Sequence, residues 1–400
     1  MLALTRSETL AMKQADIEET WGDFLLATGE AAGDFSFQID QFRQEPQGGG
    51  TADGGSTATS LRSTRRTRRF VYSQPLFSGF RSLGALTGAG SLRRERMHTL
   101  RRAEELLFLD VALSFYNVLR LQKDLEITHE ILALFDDRVD ELSERVKIGR
   151  SREGEVATAL ARKRTLEAEI AQTRGDLASE QRVLEFLSGL SLDDRGLLDE
   201  IADPGSPEPL ENYLPSALER SDVLSAEEAK RTANSGLIIA QSKLWPEISI
   251  DTNLYEKREG FQSGIDWDLL LNINIPIARG GEAIGEIKKA LSERKRARLT
   301  LTESRRRAEL EIKQAYDAWN SSLEEIQALK AAVDASQKNY ELQKEDYTRN
   351  LVNNLDVLQA LEFLNDARIE ADRAYFENKI NYWRLRIATG SCCESDGIID

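Results

Sequence analysis

Two spacings of apolar residues divide this chain. Over 265–275, Ile265, Trp267, Leu269, Leu271, Ile273 and Ile275 alternate with Asp266, Asp268, Leu270, Asn272 and Asn274, and this period of two predicts a half-buried strand. Ile248, Ile250, Thr252 and Leu254 alternate likewise with Ser249, Asp251 and Asn253, and YEKREGFQSG (255–264) supplies the turn between them. Phe35, Phe37 and Ile39 alternate with Asp34, Ser36, Gln38 and Asp40, followed by a flexible loop, PQGGGTADGGSTATS (46–60), and a second strand ending at Ser73. Elsewhere the spacings are three, four and seven: Val111, Phe115, Val118, Leu125, Leu132, Val139 and Val146 form a seam of the coiled-coil kind.

Only eight prolines occur, Pro46, Pro75, Pro204, Pro207, Pro209, Pro215, Pro246 and Pro276, which leaves 76–203 and 277–400 free of them. An interior proline deletes a helical hydrogen bond and clashes with the preceding turn at about 3 kcal/mol, so these runs are where long helices form. Each run has one interruption, KIGRSREGEV (147–156) and TRNLVNNLDV (348–357), with Gly149 or Asn350 where a helix ends in a left-handed residue. Each run therefore reads as a helical hairpin. The first arm, 80–148, would be about 100 Å long at ~1.5 Å per residue, too long for a compact globule to cover.

Sliding the chain on itself by 201 positions aligns Pro75 with Pro276, Gly79 with Gly280, Gly149 with Asn350, Glu155 with Asp356, Val156 with Val357, and Gly189 with Gly390. Helices of similar composition match apolar positions by chance, but not turn residues and prolines at one shift, so the chain reads as a duplication. The first repeat is 1–190, with a short helix, a β-hairpin at 34–74 and a long helical hairpin at 80–189. After a linker at 191–210, the second repeat, 211–390, has a helix, a β-hairpin at 247–275 and a long helical hairpin at 280–389. Residues 391–400, with Cys392 and Cys393, read as a disordered tail.

Composition narrows the function. Among 400 residues, 53 Lys and Arg face 68 Asp and Glu, for a net charge of −15. Two His and two adjacent Cys leave almost nothing for a zinc site, a disulfide framework or a nucleophile with its base, so no enzyme, metal or cofactor is expected. No stretch approaches about 18 uninterrupted apolar residues, which excludes a membrane-spanning helix. The start, MLALTRSETLAMKQ, lacks the basic region and apolar core of a secretory signal and taken literally reads as cytosolic. Eleven Arg lie in 61–102 with Glu95 as the one acid, but the acidic chain and scarce aromatics argue against nucleic acid.

A strand of about ten residues with an apolar row on one side and Asp, Asn and Ser on the other suits a barrel wall between lipid and water. Four strands cannot close, because about eight are the minimum for a filled barrel. Oligomerisation supplies the rest, and the long helices packed around an axis would form a tube. The fold class is mainly α with β: duplicated long helical hairpins forming an α-barrel, plus four strands contributing to a trimeric transmembrane β-barrel.

At this point the residues carry a resemblance. The strand-to-helix junctions QPLFSGF (74–80) and NIPIARGG (274–281), the turns at Gly149 and Asn350 with an acid six positions on, LDVLQALEFLNDAR (355–368) and LWPEISI (244–250) resemble TolC-type outer-membrane efflux proteins, over residues 5–390. The resemblance implies a homotrimer in the outer membrane of a Gram-negative bacterium, each protomer giving four strands to one barrel and its helices to a periplasmic tunnel. It implies an exit duct for efflux or type I secretion, in contact with outer-membrane lipid and docking a periplasmic adaptor (membrane fusion protein) and an inner-membrane transporter. Family members are exported, so a truncated start is expected. Arg66 and Arg68 fall in register with Trp267 and Leu269, where an Arg at the lipid midplane costs about 2–4 kcal/mol, so they lie either near the outer rim or turned inward. The competing class is a soluble coiled-coil scaffold, which the acidic charge and heptads favour and the four strands do not explain.

Glu155 and Asp356 sit at the hairpin tips, where threefold symmetry would turn them into carboxylate rings that select cations. The plainer role is helix capping, where an acid in the first turn complements the dipole for about 0.3–1 kcal/mol. By resemblance Asp356 matches the first of two aspartates that constrict the entrance, and Gln359 stands at the second. Pro75, Gly79, Pro276, Gly280, Gly149 and Asn350 are expected to shape turns.

Overall fold

The computed structural model describes residues 2–43, 64–192, 196–199, 203–259, 262–277 and 280–391. The loop of 46–60, part of the 191–210 linker, and Cys392 and Cys393 in the tail lie outside the described residues. In chain order the elements are α1 (Leu2–Arg6), α2 (Glu8–Ala32), β1 (Asp34–Arg43), β2 (Thr64–Ser78), α3 (Arg81–Lys147), α4 (Glu153–Ser188), two 3-10 turns, α5 (Ser221–Ser242), β3 (Glu247–Arg258), β4 (Trp267–Asn274), α6 (Glu282–Thr348) and α7 (Asn354–Ala388). They form two compact units, one from Met1–Met12, Thr99–Val223 and Ser304–Asp400, the other from Lys13–His98 and Leu224–Glu303.

Helices α3 and α6 are each 67 residues, and their first and last residues stand 201 positions apart. The backbone turns at the same shift. Gly79 and Gly280 have φ of 63° and 54°, Gly149 and Asn350 71° and 61°, and Gly189 and Gly390 66° and 71°. All three pairs occupy the left-handed region, where a Cβ is strained and Gly or Asn is favoured.

In the unit containing Lys13–His98 and Leu224–Glu303, the strands form one antiparallel sheet ordered β1-β2-β3-β4, so β1 and β4 are its edges. The helices follow the same order. Arg81 reaches Glu30 at 3.9 Å and joins α3 to α2, Arg94 pairs with Glu228 at 3.0 Å to join α3 to α5, and Lys243 pairs with Glu282 at 3.0 Å to join α5 to α6. Gly84 permits a close approach of α3 to α5, since a Cβ there would lie 3.0 Å from Ile239 and 3.2 Å from the Ser235 carbonyl.

The register sorts the sheet into two faces. Phe37, Phe70, Leu254 and Trp267 are cross-strand partners on one face, as are Phe35, Tyr72, Thr252 and Leu269 one rung along. These apolar side chains are largely exposed, Trp267 by 64% and Leu269 by 55%. The other face is a polar ladder: Ser73 donates to Asp251 at 2.5 Å, Asn253 to Asp268 at 2.8 Å and Tyr255 to Asp268 at 2.9 Å.

Pro75 corrects one expectation. A turn is expected there, with the hairpin ending at 74, but β2 continues to Ser78 and the reversal occurs at Gly79 and Phe80. A register shift between Pro75 and Phe77 lets the strand carry a residue with no N–H to donate. Pro276 does lie just beyond β4. Arg68 pairs across from Ile39, one rung past the Phe37–Phe70 pair and on the apolar face, and its guanidinium meets Glu256 at 3.2 Å. Arg66 lies further still, opposite Gln41, so both arginines stand at the hairpin end of the apolar row.

In the other unit the core runs beside the expected seam: of the seven seam residues Val118 is buried, while Leu132 and Val139 are half-buried against a core made by their neighbours. Ile127, Ile131, Phe135 and Leu142 of α3 pack with Ala159 and Leu166 of α4, Tyr340 and Tyr347 of α6, and Val357, Leu361 and Leu364 of α7. A second cluster joins Tyr116 to Phe376, Ile380, Trp383 and Ile387.

Candidate functional site

The two hairpin tips are built alike. At the end of α3 the N–H of Gly149 donates to Val146 and that of Arg150 to Arg145, while after α6 Asn350 donates to Tyr347 and Leu351 to Asp346. This pairing satisfies the last helical carbonyls by turning one residue left-handed, and it aims the following helix back along the first.

The helices that start there are capped differently. Asn353 and Asp356 form a reciprocal box: Asn353 Oδ1 accepts from the Asp356 N–H at 3.1 Å, and Asp356 Oδ2 accepts from the Asn353 N–H at 3.0 Å. In α4 Arg152 occupies the cap position without a side-chain bond, and Glu155 instead accepts from the Ser151 hydroxyl at 2.7 Å. Gln359 is exposed on the next turn of α7. Val156 and Val357, one residue after each acid, both pack on the same core, which brings the two tips onto one scaffold.

Sequence reasoning did not find Arg138. Only 6% exposed, it donates from Nε to Asn354 Oδ1 at 2.9 Å and from Nη1 to Glu141 at 2.7 Å, and its guanidinium lies 3.9 Å from the Tyr347 ring centroid. Arg145 covers the same ring at 4.5 Å. Tyr347 stands 201 positions after the seam residue Val146, but that spacing carries no signal that an arginine crosses to it. A second missed cluster centres on Asp124, 3% exposed and paired with Arg373 at 3.1 Å and Arg120 at 3.6 Å. Near it, burial and then the Asp124 carboxylate push Asp372 up to about 6.

Among the described residues no group of three His, Cys, Asp or Glu side chains is placed to hold a metal ion, and no helix is long and apolar enough to cross a membrane. The described geometry offers a two-faced sheet wall and long helical hairpins whose tips carry fixed carboxylates.

The fold of the chain is that of solved outer-membrane channel proteins. The family model for outer membrane efflux proteins matches residues 214–391. Outer membrane protein TolC of Escherichia coli is 23% identical over 315 residues, 74% of this chain and 64% of that protein, so the chain spans just under two thirds of that relative. The cation efflux system protein CusC of Escherichia coli is 21% identical over 403 residues, 97% of this chain and 84% of that protein. The crystal structure of VceC, an outer membrane protein of Vibrio cholerae, superposes with a TM-score of 0.85 at 19% identity, covering 97% of this chain and 94% of that one. The chain is thus similar to the TolC-like outer-membrane factors in sequence and in fold.

Proposed function

We propose that three copies of this chain close into a passive exit duct of a tripartite efflux or type I secretion system. The observation that carries the reading is the sheet: four strands with both edges unpaired among the described residues, one face apolar and exposed, the other a hydrogen-bonded polar ladder. Three copies supply twelve strands, which closes the edges, turns the apolar face to outer-membrane lipid and leaves the polar ladder to water. The helical hairpins then line a periplasmic tunnel, docking an adaptor and an inner-membrane transporter that supplies the energy.

In this reading Asp356 has both roles. The capping box holds its carboxylate in place, and threefold symmetry repeats it around the entrance with Glu155 nearby and the neutral Gln359 one turn on. A single aspartate ring attracts cations less than two would. The first repeat (1–190) and second repeat (211–390) contribute equivalent hairpins to the wall.

The test is reconstitution of the full chain from detergent into planar bilayers, with mass measurement of the solubilised species. Three copies per particle and discrete conductance steps support the duct. A water-soluble particle with no conductance and no lipid requirement overturns it in favour of the scaffold.

A further inference from the structure

Within the unit that carries the sheet, two helix faces have no partner among the described residues. On α6, Lys288 and Lys295 are exposed and their side chains make no hydrogen bond or ion pair among the described residues. They lie on the side opposite Ala290, which packs on α5. Leu299, on the same side, is 59% exposed. On α2, Glu18 and Glu19 are exposed and likewise unpaired, on the side away from buried Ile17 and Ala27. Nothing lies within 4 Å of where a Cβ of Gly22, one turn further along, would stand, so that side is open to a close-packed neighbour.

The sheet says what the neighbour is. α2 runs into edge strand β1 and α6 leaves edge strand β4, and the helix order α2-α3-α5-α6 copies the strand order. When edges β4 and β1 of successive copies pair, as the trimeric duct requires, α6 of one copy stands beside α2 of the next. Both helices are then counted from the sheet. Glu19 is 13 residues before the end of α2 and Lys295 is 13 residues after the start of α6. At ~1.5 Å per residue both stand roughly 20 Å from the helix ends, at one level.

We infer that the Lys288–Lys295 face of α6 docks on the Glu18–Glu19 face of α2 of a second copy, an electrostatic seam that gives assembly its head-to-tail sense. This rests on the trimeric reading and adds to it the contact that selects the pairing. Complementary charge steers encounter and rejects like-signed alignments, so two copies approaching α6 to α6 or α2 to α2 repel. The contact is heterologous, and a ring closes it without leftover faces.

Two experiments on the full chain test the seam, both with Cys392→Ser and Cys393→Ser to remove the native thiols. With Glu19→Cys and Lys295→Cys together, mild oxidation of the detergent-solubilised protein should give covalent species of up to three chains on a non-reducing gel, absent from either single variant. Separately, Glu18→Lys with Glu19→Lys should lower the trimer recovered in about 0.1 M salt at least about tenfold, and adding Lys288→Glu with Lys295→Glu should restore it to within about twofold. Raising salt to about 1 M, where the Debye length falls from about 10 to about 3 Å, should narrow the difference between parent and reversal variants. A parent that is trimeric but neither cross-links nor responds to reversal overturns the seam and leaves the duct standing. A monomeric parent overturns the duct itself. Trimer unaffected by Lys288→Glu and Lys295→Glu, with lost binding to nanodiscs of anionic lipid, assigns the basic face to lipid headgroups and also overturns the seam.

Discussion

Arg138 Nε donates to Asn354 Oδ1 across 2.9 Å, so a buried side chain of α3 holds the first residue of α7. The same guanidinium stacks on Tyr347 in the last turn of α6, and one residue thereby ties both arms of the second hairpin to the first. Replacing it frees the tip.

Arg138→Ala is expected to cost about 1.5–3 kcal/mol, the range for losing a hydrogen bond to a charged group, and to speed amide exchange in the first turn of α7. Arg164→Ala removes an exposed pair with Glu167 and should stay within about 1 kcal/mol of the parent. Denaturation midpoints and hydrogen exchange of the two variants check this. Equal behaviour would mean that the buried contact does not hold the tip.

Asp356 combines a cap and a charge, and two substitutions separate them. Asn at this position keeps an oxygen that accepts from the Asn353 N–H, so Asp356→Asn should leave stability nearly unchanged while weakening cation block of the reconstituted channel. Asp356→Ala loses both, with a further cost of about 1 kcal/mol. Should Asp356→Asn keep full cation sensitivity in conductance traces, the carboxylate is a cap alone.

The pH response of the helical unit follows from Asp372. Its carboxyl is pushed up to about 6 by burial and by Asp124, from an ordinary value near 3.8. The folded state then binds more protons than the unfolded one between about pH 4 and 6, so stability falls as pH rises through that window and is level above it. Asp372→Asn should raise the thermal midpoint at pH 7.5, change it little near pH 4 and remove the slope between. An unaltered slope in the variant would assign the pH dependence to other groups.

The strands were legible because a half-buried sheet imposes a period of two, and Phe35, Phe37 and Trp267 all fall where that alternation puts them. The long helices were legible because proline avoids them, but the same inference misread Pro75, which an irregular strand tolerates. The register shift at Arg68 and Arg69 depends on how β3 bulges opposite β2, so nothing in the β2 sequence announces it. At the tips, Gly149, Asn350 and Asp356 were visible because turns and caps use few residue types. Arg138 and Asp124 were not, since an ionisable residue on a heptad helix reads as solvent-facing until a partner from another helix covers it.

The two faces of the sheet give the sharpest contrast. Leu269 lies in the apolar row two residues from Trp267, whereas Ser36 points to the polar ladder opposite Val71. An Arg facing lipid near the midplane must snorkel or thin the bilayer, at about 2–4 kcal/mol, while on the lumen side it meets water. Leu269→Arg should therefore reduce the heat-modifiable, bilayer-inserted form, and Ser36→Arg should insert normally and shift ion selectivity instead. Arg68→Leu, at the hairpin end of the row, should change insertion little. If Leu269→Arg inserts as well as Ser36→Arg, the apolar face does not meet lipid, and the row must instead be covered by protein.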